Sequence, residues 1–487
     1  MRPTTPFFQA FGPLLFGRAP KSALASLLQK IQSLSSLSEL MAAFGGLIPE
    51  SLLAPAEKGD HSRQREYSHS LTFWAFLSQV LSPGCSCREI VRRVQAWFAV
   101  NGSALEPSSN TAAYCAARQK LQDSLLHAIH RQLGERLERR VPATALWKGH
   151  HVKVVDGTTL SMPDTPANQA AYPQPSSQKA GCGFPLIKVV GLFSLASGAL
   201  LEIAKGTLHI HESRLFRHLW DLLCPGDIAL SDRGFCSYAT MACLYNKGVH
   251  CLMRLHQARK NDFRQGKRLG PNDRLVSWRK PAQRPAGVSP EDFAALPAKL
   301  AVRIVRLDVS ARGFRTQSIT LVTTLLDAET YPLEALGELY LRRWSVELHF
   351  REIKITLAMD VLRCLSPEMI HKELLLHMIS YNLVRGVMQE ASLTHQVELK
   401  RISFKGTLDT VRHWSQAVDA CQGQRRKQSR LLEQMLRAIA SDLLPERPGR
   451  IEPRAKKRRP KNYHLLTQPR HQMRVPAHRN RPKSRLN

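Results

Sequence analysis

HVKVVDGTTL, residues 151–160, is the stretch at which the chain changes character. Residues 151–155 read as a β-strand, and Asp156-Gly157-Thr158-Thr159 then breaks the apolar run. Everything before it reads as helix. Residues 22–44 are amphipathic, LTFWAFLSQVL (71–81) is a core helix, and 110–137 is a longer one. Between them SCREIVRRVQAWFA (86–99) sets Ile90, Val94 and Trp97 on one stripe, with Arg88, Arg92 and Arg93 opposite. Residues 1–145 are expected to be a helical N-terminal domain, its basic face suited to DNA or to solvent.

After residue 150 strands and helices mix. LIKVVGLFSLA (186–196) and ALLEIAKG (199–206) read as strands joined by a turn at Ser197-Gly198. A helix at 211–223, the strand DIALS (227–231), a helix at 236–247 and the strand VHCLMRL (249–255) follow. This is an α/β layout. The stretch 256–299 is basic and poor in apolar periodicity, and strands return at 299–309 and 318–325, so 256–330 is expected to be a β-rich insertion. It divides a core into 146–255 and 331–400. A helix is expected from Pro332 to about 354 and another over 367–390. A helical C-terminal region, 401–446, precedes a tail, 447–487, that holds 14 Lys or Arg, Lys456, Lys457, Arg458 and Arg459 among them, against the single acid Glu452. The tail is expected to be disordered when free.

Lys and Arg number 70 against 39 acids, a formal net charge of +31, while 43% of residues are hydrophobic and 22% charged. That is a folded chain with a polyanionic partner; nucleic acid fits best, with ribosomal or anionic-membrane association as alternatives. The ten cysteines look scattered, and the Cys85-x-Cys87 pair has the wrong spacing for a zinc knuckle. No stretch is long and apolar enough to span a bilayer, and MRPTTPFFQAFGPLLFG lacks a cleavage pattern, so a cytoplasmic location is expected.

Cutting a phosphodiester with two metal ions needs converging hard-oxygen ligands, carboxylates at strand ends or on a helix facing them. Asp156 follows the strand 151–155 and Asp232 follows 227–231, although aspartates after strands are also ordinary turn starters. Glu347 lies in YLRRWSVELHFREIK (340–354). On a helix advancing about 100° per residue, Tyr340, Arg343, Glu347 and Lys354 share a sector of roughly 60°. That stripe suits a metal-binding carboxylate flanked by cations for a phosphate chain. It equally suits an i,i+4 ion-pair ladder.

The spacing Y-x2-R-x3-E-x6-K resembles the signature of the insertion-sequence-four family of bacterial DD-E transposases. DGTT (156–159), PDTPANQ (163–169), GCGFPLIKVVGLFSLASGAL (181–200), PGDIALSDRGFCSY (225–238), HMISYNLVR (377–385) and KRRPKNYHLLTQPR (457–470) resemble it too. The resemblance implies a ribonuclease-H-like core with a β-rich insertion between the second aspartate and the glutamate. It implies two magnesium or manganese ions on Asp156, Asp232 and Glu347, and DNA contacts from Tyr340, Arg343 and Lys354. It further implies cut-and-paste action on terminal inverted repeats by a dimer, with a hairpin intermediate. Trp278 is the insertion-domain tryptophan that could stack on a flipped base, by location alone. The competing readings are a metal-dependent nuclease and a catalytically inactive or domesticated DNA-binding protein.

Overall fold

The computed structural model describes residues 66–100, 107–259, 262–308, 318–419 and 424–445, with isolated positions at 48, 50–53, 466, 468–469 and 472–473. The expected helix at 22–44 and the run Lys456–Arg459 lie outside the described residues.

Among the described residues four α-helices come first: α1 (His69–Leu81), α2 (Cys87–Val100), α3 (Ala112–Lys120) and α4 (Asp123–Arg139). Ser68 starts α1 by accepting a hydrogen bond from the Leu71 amide, which satisfies one of the open donors of the first turn. On α2, Ile90 and Val94 are fully buried while Arg88 and Arg92 face solvent, as the stripe predicts. Arg93 turns back to Glu89, Ser78 and Ser82.

The elements that follow are β1 (Val152–Ser161), α5 (Pro166–Ala171), β2 (Leu186–Ser194), β3 (Leu200–Gly206), α6 (Glu212–Arg217), β4 (Ile228–Ser231), α7 (Tyr238–Asn246) and β5 (His250–Arg254). Next are β6 (Lys267–Gly270), β7 (Asp273–Arg279), α8 (Pro290–Ala295), β8 (Lys299–Asp308) and β9 (Ser318–Thr323). The chain ends its described course with α9 (Leu333–Arg342), α10 (Ser345–Arg351), α11 (Pro367–His395), α12 (Phe404–Asp419) and α13 (Arg425–Ser441). The strands form one sheet in the order β3-β2-β1-β4-β5-β9-β8-β7-β6. Strands β1, β4 and β5 run parallel, β2 adds antiparallel to β1, and β3 adds antiparallel to β2. This mixed sheet with flanking helices is consistent with a ribonuclease-H-like core.

Three expectations need correction. The first strand does not stop at Val155. It continues to Ser161 because β2 pairs along it, from Lys153 opposite Ser194 to Ser161 opposite Leu186. A polar DGTT run breaks the apolar pattern without breaking the ladder. Second, the strands expected as a β-rich insertion are continuous with the core sheet. Strand β9 pairs antiparallel with β5, Leu252 opposite Thr323, so β6–β9 extend the core sheet. Third, the helix expected over 332–354 is three segments. Pro332 caps α9, and the amides of Val346 and Glu347 reach back only three residues, to Arg343 and Trp344. After α10 the backbone widens into a π-helical turn, Glu352–Thr356.

Two apolar cores lie on the two faces of the sheet. Val152, Val154 and Leu160 of β1 face the side that holds the N-terminal helices and α11, and Val155 faces α6 and α7. Helix α11 starts with Ser366 as cap and Pro367 in the first turn and is buried on nearly every side. A helix so enclosed must satisfy its polar side chains inside. Asn382 does so by bonding both the amide and the carbonyl of Leu200, Tyr381 donates to the Gly198 carbonyl, and Arg385 donates to that of Ser197. The HMISYNLVR string thus stitches α11 to the β2–β3 turn.

Candidate active site

The parallel pairing of β1 with β4 ends at Val155 opposite Ser231. The next residue on each strand is an aspartate, Asp156 and Asp232. Side chains alternate along a strand, so Asp156 points to the same face as Val154 and Leu160, toward the helices that carry Glu347. Beyond this point β4 stops and β1 continues, its side toward β4 left without a strand partner until Ser161 bridges to Val361.

Each aspartate is fixed by a local amide. Asp156 Oδ1 accepts from the Gly157 amide at 2.9 Å and Asp232 Oδ1 from the Gly234 amide at 2.8 Å. Arg343 stands over them: its Nη1 is 4.0 Å from Asp156 Oδ2 and its Nη2 donates to Glu347 Oε1 at 3.3 Å. Burial raises the Asp156 carboxyl from 3.8 to about 6. The Gly157 amide and Arg343 pull it down, while the negative charges of Asp232 and Glu347 push it up. All three carboxylates therefore share one electrostatic environment, in which the guanidinium of Arg343 takes the part of a counter-ion.

Tyr340 is buried under Arg343, whose guanidinium lies 5.8 Å from the ring centroid, and burial raises its phenol. Lys354 sits in the π-helical turn, and its Nζ donates to Thr158 Oγ1 at 3.0 Å and to the Thr159 carbonyl at 3.1 Å. The tight turn before α10 and the wide turn after it shift the helix face in opposite senses. Both ends of the motif still look onto β1.

Among the described residues, no group of three or more His, Cys, Asp or Glu side chains stands as a metal cluster. The donor set nevertheless fits a hard divalent cation: three carboxylates, both aspartates held by an amide through one oxygen only, and one pushed toward protonation by burial and its acidic neighbours. Asp156, Asp232 and Glu347 are the residues that would hold it.

Trp278, the candidate for stacking on a base, does not stand on the surface. It is 8% exposed in the core on the α7 side of the sheet, with the Arg259 guanidinium 3.9 Å from its ring centroid. Its strand neighbours alternate apolar and polar, so Trp278 faces inward with Leu300 opposite. Sequence reasoning also missed Glu212. A Cβ at Gly157 would stand 2.5 Å from its carboxylate, so the glycine at 157 leaves the room that this acid occupies beside the aspartate strand. Glu212 opens a short helix more than 50 positions from Asp156, and no spacing ties the two.

Residues 147–383 match the family model described as a transposase DDE domain. The chain is 25% identical over 450 residues to transposase InsG for insertion sequence element IS4 of Escherichia coli strain K12, a match that covers 90% of this chain and 97% of that protein. Among solved structures, the cryo-EM synaptic complex of piggyBac transposase with hairpin DNA aligns over 85% of this chain and 86% of that one, with a TM-score of 0.40 and 10% identity.

Proposed function

We propose, from the premise that this chain carries a DDE transposase domain homologous to that of the insertion-sequence-four element, that it performs cut-and-paste transposition of its own insertion sequence. The substrate is the terminal inverted repeat at each end, and the reaction is hydrolysis followed by strand transfer, with a hairpin opening the ends. The observation that supports this most is the register: Asp156 and Asp232 each follow the last parallel pair, under a guanidinium that also reaches Glu347.

Asp156, Asp232 and Glu347 are the ligands for two magnesium or manganese ions. The chemistry such ions supply when bound is activation of the attacking hydroxyl and stabilisation of the leaving oxygen. Arg343 holds the acidic site together before DNA arrives, then turns its fork to a backbone phosphate as its charge is no longer needed there. Lys354, anchored on Thr158 and Thr159, fixes the phosphate chain along β1. Orientation of this kind accounts for large rate factors without new covalent chemistry. Arg88 and Arg92 on α2 and the basic tail add DNA affinity, and the synaptic complex is a homodimer on the bacterial nucleoid.

The deciding experiment incubates purified protein with magnesium and end-labelled inverted-repeat duplexes and resolves nicks, hairpins and joined products. Cleavage that needs the metal and disappears in Glu347→Gln, with end binding retained, is the expected result. Binding without any cleavage in magnesium or manganese would favour the DNA-binding reading, and nicking of any duplex without joining would favour the nuclease.

A further inference from the structure

A cavity of about 410 Å³ lies between the N-terminal helices and the chain that follows the π-helical turn. Four cysteines that look scattered in sequence, Cys85, Cys87, Cys115 and Cys364, line it together. The group that decides its chemistry is Arg118 of α3, a cation nine-tenths buried.

A buried guanidinium is costly unless charge and hydrogen bonds compensate it. Here the partners are neutral. Nη1 donates to Gln79 Oε1 at 3.1 Å, Nη2 approaches Cys115 Sγ at 3.7 Å, and the plane rests against the rings of Phe76 and Tyr114 at 4.8 and 4.9 Å. Its Nε is buried with no hydrogen-bond partner. The thiols do not supply the missing charge: burial raises Cys85 to about 11 and raises Cys115 and Cys364 as well. Glu373 lies near enough for its charge to act with that of Arg118, but both its oxygens accept from the amides of Arg363 and Cys364. His377, on the same wall, is kept neutral by burial, its pKa lowered to about 3, and its Nδ1 is also buried without a partner. With Arg363 at the rim, the lining holds two guanidiniums against one carboxylate.

We propose that this cavity is a binding site for a small organic anion, a single carboxylate on an apolar body, with the carboxylate against the Arg118 guanidinium and the body against Phe76 and Met369. The site also borders a segment that is paired with β1. Ala358, on its wall, has a φ of +56°, a strained value for a residue with a Cβ. The segment it begins pairs with the end of β1, the Ser161 amide donating to the Asp360 carbonyl and the Leu362 amide to that of Ser161. A ligand here contacts the helical domain and the strap on β1 at once. The binding proposal does not depend on what the carboxylate triad does.

The test titrates the full-length protein with 4-phenylbutyrate and with its neutral counterpart 4-phenylbutanol, by calorimetry and ligand-observed NMR. The acid should bind saturably and at least about tenfold more tightly than the alcohol, as expected for a charge-assisted hydrogen bond. In Arg118→Met that difference should vanish. Because removing a buried arginine can disturb folding, the unaltered protein supplies a second reading. The acid should slow alkylation of Cys87, which lines the cavity, and leave the exposed Cys224 unchanged. Equal binding of acid and alcohol, no saturable binding, or equal effects on Cys87 and Cys224 would each overturn the proposal.

Discussion

Replacing Asp156 with Asn should make the metal-free protein more stable at neutral pH, the reverse of what loss of an ordinary acidic residue in an ion pair does. Its carboxyl has a folded value of about 6 against 3.8 when free, chiefly because it is buried. The folded state therefore holds a proton more readily than the unfolded chain. That contribution is fully present below about pH 4 and is lost as pH rises through 6. Above that the ionised group costs about 3 kcal/mol at most, since a tenfold change in proton affinity is about 1.4 kcal/mol. The side chain is 22% exposed, and solvent screening brings this down to about 2 kcal/mol. Denaturant titrations of both proteins without divalent metal should show Asp156→Asn more stable by about that amount near pH 7.5, with the curves converging near pH 4. Added magnesium should stabilise the unaltered protein and leave the variant where it was. If the variant is the less stable at pH 7.5 without metal, burial does not penalise the ionised Asp156 and the electrostatic account of the site is wrong.

Arg343→Ala should raise the Asp156 carboxyl further, because it removes the cation that lowers it; NMR titration of a carboxyl-labelled protein reads this, and an unchanged or lower value contradicts the geometry. Its folding should change by no more than about 1 kcal/mol, while end cleavage falls by orders of magnitude; near-normal cleavage would reduce it to an ion-pair residue. Gly157→Ala should cost no more than about 1 kcal/mol in melting experiments, since its Cβ meets only the flexible end of the Glu212 side chain, which can swing aside; a larger loss that Glu212→Ala recovers would show the carboxylate held in place. Arg303→Met should cost about 3–5 kcal/mol by denaturant titration, because Arg303 is buried and bidentate to Asp273 and also holds the carbonyls of Asp327 and Tyr331 ahead of α9; a loss below 1 kcal/mol would show that water replaces it.

The aspartates were legible because strand and carboxylate are adjacent in sequence and the parallel register makes them adjacent in space. Glu347 was legible from helical spacing, although the helix is not regular: a tight turn at 343–347 and a π turn at 352–356 offset each other, so a reading at constant pitch still put Arg343 and Lys354 on the right side. The continuation of β1 through DGTT was hidden, since what holds it is a partner strand 25 or more residues away. The same is true of the inserted strands. Their apolar residues fit an isolated sheet as well as an added edge, and only the pairing of β9 with β5 decides. Trp278 was a candidate by location alone, and its place in the strand turns it inward. The Arg118 cavity could not be read at all: its walls come from α1, α3, α11 and the segment after residue 356, far apart along the chain.

The shared register of β1 and β4 carries a lesson about tolerance to change. Both aspartates are aimed by a backbone ladder of four residue pairs, 152–155 against 228–231, more than by the side chains around them. Apolar substitutions in those strands can be absorbed by repacking, because they leave the ladder in step. A single inserted or deleted residue cannot. It turns every later side chain on that strand to the other face, and one aspartate would leave the pair for the opposite core. Length in these two short strands is therefore under tighter constraint than composition, and copies with one residue inserted or deleted there should lose cutting while keeping nearly the whole of their sequence.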